Sequence, residues 1–288
     1  MSNKVHTARL SVFSNIFLVI MKITVGVFSG SVSIISEAAH SAIDLVASLI
    51  AFFSVRVSNL PPDKDHPYGH GKIENISGVA EGLLIIVAAV WIIYHSIHSL
   101  IANEPVQYLK WGIVVMIISA VVNFFVSRRL YKVAKETDSI ALEADALHLK
   151  TDIYTSVGVA FGIGLIWLTG WHILDPIIAI LVALFILFEA YNLIKSAFNP
   201  LLDNSLDQDE VNAITKIIED FTNNCIGYHH LRTRRSGPYK YIDFHLEVPD
   251  NMTVRESHDL CDRLEEKLKE NINTVDINIH VEPKSGCK

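Results

Sequence analysis

The nine residues SEAAHSAID, Ser36 to Asp44, lie in a stretch that otherwise reads as membrane-buried, and they set a histidine and an aspartate four residues apart. On a helix, positions four apart differ by about 40° around the axis, so His40 and Asp44 project from one face, one turn apart. The spacing recurs in HLKTD, which puts His148 and Asp152 on one face of another apolar segment. A carboxylate at the centre of a span costs about 2.5 to 3.5 kcal/mol on the insertion scale, so two of them require compensation. One His–Asp pair alone reads equally well as a helix-stabilising hydrogen bond. Two pairs in separate spans point to a metal or proton site.

The rest of the chain supports a membrane setting. Its 288 residues are 50% hydrophobic and only 19% charged, with a mean hydropathy of +0.34, too apolar for an ordinary soluble domain of this size. Six apolar segments run roughly over 10–28, 32–55, 76–101, 111–130, 146–168 and 173–197, each long enough to cross a hydrocarbon core of about 30 Å. Six spans place both termini on one side. Lys4, Arg9, Arg56, Lys64, Lys72, Arg128, Arg129, Lys132 and Lys135 flank one set of loops, while Lys110 stands almost alone on the other. The positive-inside rule therefore predicts cytoplasmic N- and C-termini. The first apolar run has span length and no small-residue cleavage pattern, so it is expected to stay as a span.

Charge shifts abruptly near Pro200. From Asp203 onward there are 17 acidic and 11 basic side chains, a net charge of −6 out of −7 for the whole chain. This predicts two domains, a six-span bundle over residues 1–202 and a cytoplasmic α+β domain over 203–288. In the latter, helical spacing over 207–221 and 254–270, and alternation over 231–235, 239–248 and 275–281, give the order αββαβ. An acidic tail argues against nucleic acid and towards cations or protein partners. Cys225, Cys261 and Cys287 are odd in number and lack CxxC spacing, so free thiols are expected.

If the second span runs inward and the fifth outward, side-by-side packing brings His40 level with Asp152 and Asp44 level with His148. Two imidazole nitrogens and two carboxylate oxygens then make a tetrahedral set suited to a divalent metal such as zinc. Lys150 falls about 200° around the helix from His148 and is expected to snorkel away. Glu143 and Asp145 read either as cation-attracting groups at the inner mouth or as solvated helix ends. In the loop PPDKDHPYGHGK, His66 and His70 with the nearby carboxylate of Asp63 form a candidate zinc site, against the plainer reading of a polar turn.

Four stretches, SGSVSIISEAAHSAID, DHPYGHGKIE, ALEADALHLKTD and LRTRRSGPYKYIDFHLEV, resemble in order the motifs of the cation diffusion facilitator family of divalent-metal transporters, over nearly the whole chain. The resemblance implies a homodimer with six transmembrane helices per protomer, a metallochaperone-like cytoplasmic domain, and metal efflux coupled to proton influx across the cytoplasmic (inner) membrane. It implies that His40, Asp44, His148 and Asp152 are the transport site and that Asp63, His66 and His70 form a peripheral site. By the same resemblance, His229, His245, His280 and Glu282 match a cytoplasmic metal cluster, with His258 near it; Glu282 stands where some relatives carry aspartate. The two-His, two-Asp set resembles the more zinc-selective members, with Fe2+, Cd2+, Co2+ and Mn2+ as alternative cargoes.

Protonation chemistry supplies a mechanism, because neutral imidazole binds metal and imidazolium does not. Metal and proton then compete for one site, and no GxxxxGK[ST] motif points to ATP. An intramembrane zinc hydrolase fits poorly: HExxH is absent, and four protein ligands leave no open position for water. A passive channel needs weak, multiple sites. A membrane-anchored metal sensor using the acidic tail is the remaining rival class. The chain is thus expected to transport and not to catalyse.

Overall fold

The computed structural model describes residues 3–29, 32–102, 110–169, 174–222 and 226–284. It divides into two compact units, Met1–Phe198 and Asn199–Lys288.

The first unit contains six long helices among its described residues: α1 (Asn3–Ser29), α2 (Val32–Ser58), α3 (Lys72–Ala102), α4 (Lys110–Thr137), α5 (Ile140–Thr169) and α6 (Leu174–Phe198). Each overlaps one of the six apolar segments, and all but α6 extend into flanking polar residues. The shortest has 25 residues, or about 38 Å at 1.5 Å per residue, more than the hydrocarbon thickness. By length and apolar composition alone, α1, α3 and α6 stand out as membrane spans.

Their polarity is that of a bundle in lipid. Large apolar side chains such as Phe17, Ile20, Val87, Trp91, Phe125 and Phe188 point outward, while Ser11, Asn15, Lys22, Asn123 and Asp145 are buried. The helix contacts are lined by small residues, with Ala47, Ala51, Ala89, Ala144, Ala183 and Ala190 fully inaccessible, the packing expected where van der Waals fit replaces the hydrophobic effect. Gly78 and Gly82 on α3 show how tight this is. A methyl group at either position would come within 2.6 Å of Ile140 Cγ2 or 2.5 Å of Ile194 Cγ1.

One buried ion pair ties the ends of several helices together. Glu74, fully inaccessible in the first turn of α3, accepts from Lys4 Nζ at 3.0 Å, from Ser58 Oγ at 2.7 Å and from Ser139 Oγ. Three donors and the positive end of the α3 dipole compensate the buried carboxylate.

The second unit begins with a 3-10 turn over Asn199–Leu202 and continues as α7 (Gln208–Glu219), β1 (Gly227–Ser236), β2 (Tyr239–Pro249), α8 (Val254–Asn271) and β3 (Val275–Lys284). The order αββαβ is the one the sequence predicts. β2 is central, antiparallel to β1 and parallel to β3. Its alternation decides what each face of the sheet does. Ile242, Phe244, Leu246 and Val248 are buried against Ile214 and Ile218 of α7 and Leu260, Leu264 and Leu268 of α8, so Asp243, His245 and Glu247 must occupy the other face. A capping box, with Thr253 Oγ1 accepting from the Glu256 N–H and Glu256 accepting from the Thr253 N–H, starts α8. Cys261 is a free, buried thiol within this core; Cys225 and Cys287 lie outside the described residues.

Candidate metal centre

Helices α2 and α5 bring Asp44 and His148 into direct contact. His148 Nε2 lies 3.0 Å from Asp44 Oδ1, and the residues are only 5% and 4% exposed. Asp152, one turn further along α5, joins them: Asp44, His148 and Asp152 each offer a ligand atom, all within 4.8 Å of one another. The cross-helix level that antiparallel packing predicts for Asp44 and His148 is therefore present. His40 stands on α2 one turn before Asp44, but its side chain lies outside the described residues. Two carboxylates and an imidazole facing one point inside a helical bundle are a donor set for a borderline divalent cation.

The supports of this centre include residues that spacing did not single out. Asn123 of α4, 4% exposed, donates from Nδ2 to Asp152 Oδ2 at 3.3 Å. Asn15 of α1 donates to the backbone oxygen of Asp44 at 3.4 Å, and the buried Lys22 ammonium donates to Ser41 Oγ at 2.7 Å. The available signal was modest: each is a lone amide or ammonium within an apolar run, which in a membrane span demands a partner. Asp145 is fully inaccessible and so is not a solvated helix end, whereas Glu143 is exposed. Lys150 turns away from the centre, its ammonium over the Tyr131 and Tyr154 rings at 5.5 and 5.3 Å. Cation–π contact with two rings takes the place of the expected snorkelling.

In the loop between α2 and α3, Asp63, His66 and His70 form a second cluster. His66 Nδ1 is 3.2 Å from Asp63 Oδ1 and His70 Nε2 is 3.3 Å from Asp63 Oδ2, with the two rings 4.4 Å apart. The turn is closed by the Gly69 N–H donating to the His66 carbonyl, and Gly69 takes φ +78°, a conformation glycine adopts without strain. The backbone N–H of His66, donating to Asp63 Oδ1 at 2.7 Å, holds the Asp63 carboxyl below the usual carboxylate range.

The third cluster lies on the open face of the tail sheet. Strand register aligns His229, His245 and His280 across β1, β2 and β3, with Glu247 and Glu282 in the adjoining row. His245 Nδ1 is 2.9 Å from Glu282 Oε1 and His229 Nε2 is 3.3 Å from Glu282 Oε2. His229, His245 and Glu282 meet the distance requirement for one cation. His280 stands alongside, its Nε2 3.5 Å from Glu282 Oε1. His258 is not brought into this group: on α8, on the helical side of the sheet, it is exposed and faces Asp262 at 3.6 Å. The expectation that it lies near the cluster is not met within one chain.

Comparison with known proteins identifies the scaffold that carries these clusters. The family model for the cation efflux transmembrane domain matches residues 8–202, and that for the cation efflux protein cytoplasmic domain matches residues 206–284. The chain belongs to the cation efflux family. Within the family it is 35% identical over 263 residues to an uncharacterised transporter of Synechocystis, sll1263, covering 91% of this chain and 85% of that one. It is 33% identical over 268 residues to the cation-efflux pump FieF of Klebsiella pneumoniae, covering 93% and 89%. Solved structures of tail length also match: CzrB in its Zn form, at 36% identity and TM-score 0.28 over 30% of this chain and 98% of that one, and the metal-bound C-terminal domain of the CzcD transporter from Thermotoga maritima, at 26% identity and TM-score 0.26 over 29% and 100%. Cation efflux proteins are membrane transporters and not enzymes. This assignment makes the metal the cargo of the chain, and it supports efflux of divalent cations as its activity.

Proposed function

We propose that this cation efflux protein is a homodimeric, zinc-preferring, proton-coupled exporter of the cytoplasmic (inner) membrane with both termini in the cytoplasm. Residues 1–202 transport, and residues 203–288 bind cytosolic metal and dimerise. The observation that carries the reading is the convergence of Asp44, His148 and Asp152 from two helices inside the bundle. With His40 as the fourth donor, the site holds two neutral nitrogens and two anionic oxygens, a set matched to Zn2+ more than to harder cations.

Exchange follows from the contact between His148 and Asp44. His148 Nε2 lies 3.0 Å from Asp44 Oδ1, so a proton shared by this pair and a bound cation would compete for the same two atoms. Arriving metal takes the imidazole nitrogen and the carboxylate oxygens and releases protons; on the other side, protons return and metal leaves. Asn123 orients the Asp152 carboxylate by donating to its Oδ2. The loop residues Asp63, His66 and His70, and the tail residues His229, His245 and Glu282 with His280 beside them, are peripheral sites. Tail metal neutralises part of the acidic domain and regulates transport.

The test is metal flux into proteoliposomes with Zn2+, Cd2+, Co2+, Fe2+ and Mn2+ in turn. Zinc is expected to move fastest. A ranking led by manganese, or binding with no flux of any metal, would overturn the assignment, the second outcome favouring a membrane-anchored sensor.

A further inference from the structure

Among the described residues, ten buried side-chain nitrogen and oxygen atoms have no hydrogen-bond partner, and five of them belong to Ser11, Glu81 and Asp145. These residues come from α1, α3 and α5, and each is fully inaccessible. Helix packing brings the two acids together. Gly78 of α3 lies so close to Ile140 of α5 that even a methyl group would clash there, and Glu81, three residues further along, shares the face of Gly78. Asp145 is the charged group that acts on Glu81. Ser11 Oγ turns towards Asp145 without completing a hydrogen bond.

No side-chain cation neutralises the pair. Among the described residues, neither acid forms an ion pair with Lys, Arg or His. The other charged groups of the packed helices are engaged elsewhere: Lys4 with Glu74, Lys22 with Ser41, and Asp44 with His148. On α6, Glu189 acts on Tyr131. His148, three residues beyond Asp145 on α5, is the further titratable group that acts on Asp145. Two facing carboxylates without a counter-charge cannot both ionise inside a bundle, because repulsion and lost solvation act together. One proton between them resolves both, since the acid donates to the carboxylate in a charge-assisted hydrogen bond. A resident metal ion fits less well. Mg2+ and Ca2+ take about six to eight oxygens, whereas these side chains offer five in a place closed to solvent.

We propose that Glu81 and Asp145 share one proton and form, with Ser11 beside them, a proton-binding site of the bundle distinct from the Asp44–His148–Asp152 cluster. The site stands on the packing of α3 against α5, and it holds whether or not that cluster binds metal. Asp145 lies about one turn before His148 on the same helix face. Proton binding by this chain is then not confined to its candidate metal ligands.

The experiment is infrared difference spectroscopy on the full-length, metal-free protein in lipid at neutral pH. The parent is compared with Glu81→Gln, Asp145→Asn and the double variant, all of which keep side-chain shape, and circular dichroism checks that each is folded. A buried protonated carboxyl has a C=O stretch apart from the amide and carboxylate bands, and it shifts in D2O. The parent is expected to show such a band and the double variant to lack it. Each single variant should move the band without abolishing it, because the remaining acid is still enclosed without a counter-charge. Should the double variant fail to fold, the single variants decide, since both must move the same band. Asp44→Asn should leave the band in place. A spectrum unchanged by the substitutions, or a difference made only of carboxylate bands, would overturn the proposal, the second outcome favouring a bound cation. Loss of the band in Asp44→Asn would also overturn it, by placing the proton at the metal centre.

Discussion

Asp44→Asn keeps the shape of a side chain at the centre of the bundle and removes its charge. The parent carboxylate is 4% exposed and 3.0 Å from His148 Nε2. An amide oxygen in its place still accepts from the imidazole N–H, so the contact weakens from charge-assisted to neutral, a loss of about 1 kcal/mol. Against this, a carboxylate at mid-span costs about 2.5 to 3.5 kcal/mol, part of which the uncharged amide relieves. The metal-free variant is therefore expected to melt at or slightly above the parent temperature. Metal binding moves the other way. Disturbing groups behind metal ligands already lowers affinity by about 10- to 100-fold, and loss of a direct anionic ligand should exceed the upper figure, about 2.8 kcal/mol or more. Zinc uptake into proteoliposomes, followed with an entrapped zinc dye, should fall to the protein-free background while thermal melting in detergent is preserved. Zinc flux within a factor of two of the parent, from a folded variant, would refute the assignment of Asp44 as a ligand and the charge accounting behind it.

Other consequences follow from the same contacts. Asn123→Leu should lower zinc affinity about 10- to 100-fold by releasing Asp152, measured by calorimetry, with no effect if the 3.3 Å contact is incidental. His40→Asp should add a third anionic oxygen, shift preference from zinc towards manganese, and move metal–proton competition to lower pH; identical flux ranking and pH profiles from about pH 5.5 to 7.5 would remove His40 from the ligand set. In the tail, burial raises the Glu210 carboxyl pKa, but Lys240 at 2.9 Å and Arg235 at 2.8 and 2.9 Å outweigh it and leave the pKa below the ordinary 4.5. A depressed folded-state pKa means that this contribution, about 1 to 2 kcal/mol for a partly exposed cluster, is present above the unfolded value and is lost as pH falls through the folded one. Glu210→Gln should accordingly reduce hydrogen-exchange protection of the tail at pH 7, with the difference from the parent shrinking below about pH 4.5; a gap that persists in acid would contradict the linkage.

The helices were legible because membrane spans are apolar over more than a turn-by-turn pattern, and the tail strands because β2 alternates strictly between core residues and charged or histidine residues. The clustering of Asp44, His148 and Asp152 was legible for a different reason. His148 and Asp152 share a face by helix geometry alone, and opposite-running helices level Asp44 with His148. Asn123 was harder to see, since its importance lies in which Asp152 oxygen it reaches across a helix interface, and that depends on packing. Spacing left His230, beside His229, undecided. A period-two reading places it on the core face, and only a bulge between His229 and Arg232 returns it to the histidines. His258 shows the converse, a histidine near the others in kind but on the opposite side of the sheet.

The most direct test of metal–proton exchange at the Asp44–His148–Asp152 centre is a paired flux measurement in proteoliposomes carrying both a zinc dye and a pH dye. Zinc moving in should drive protons out, and an imposed pH gradient should drive zinc against its own gradient until a protonophore collapses it. Zinc flux that is indifferent to the pH gradient, with no accompanying proton movement, would contradict the exchange.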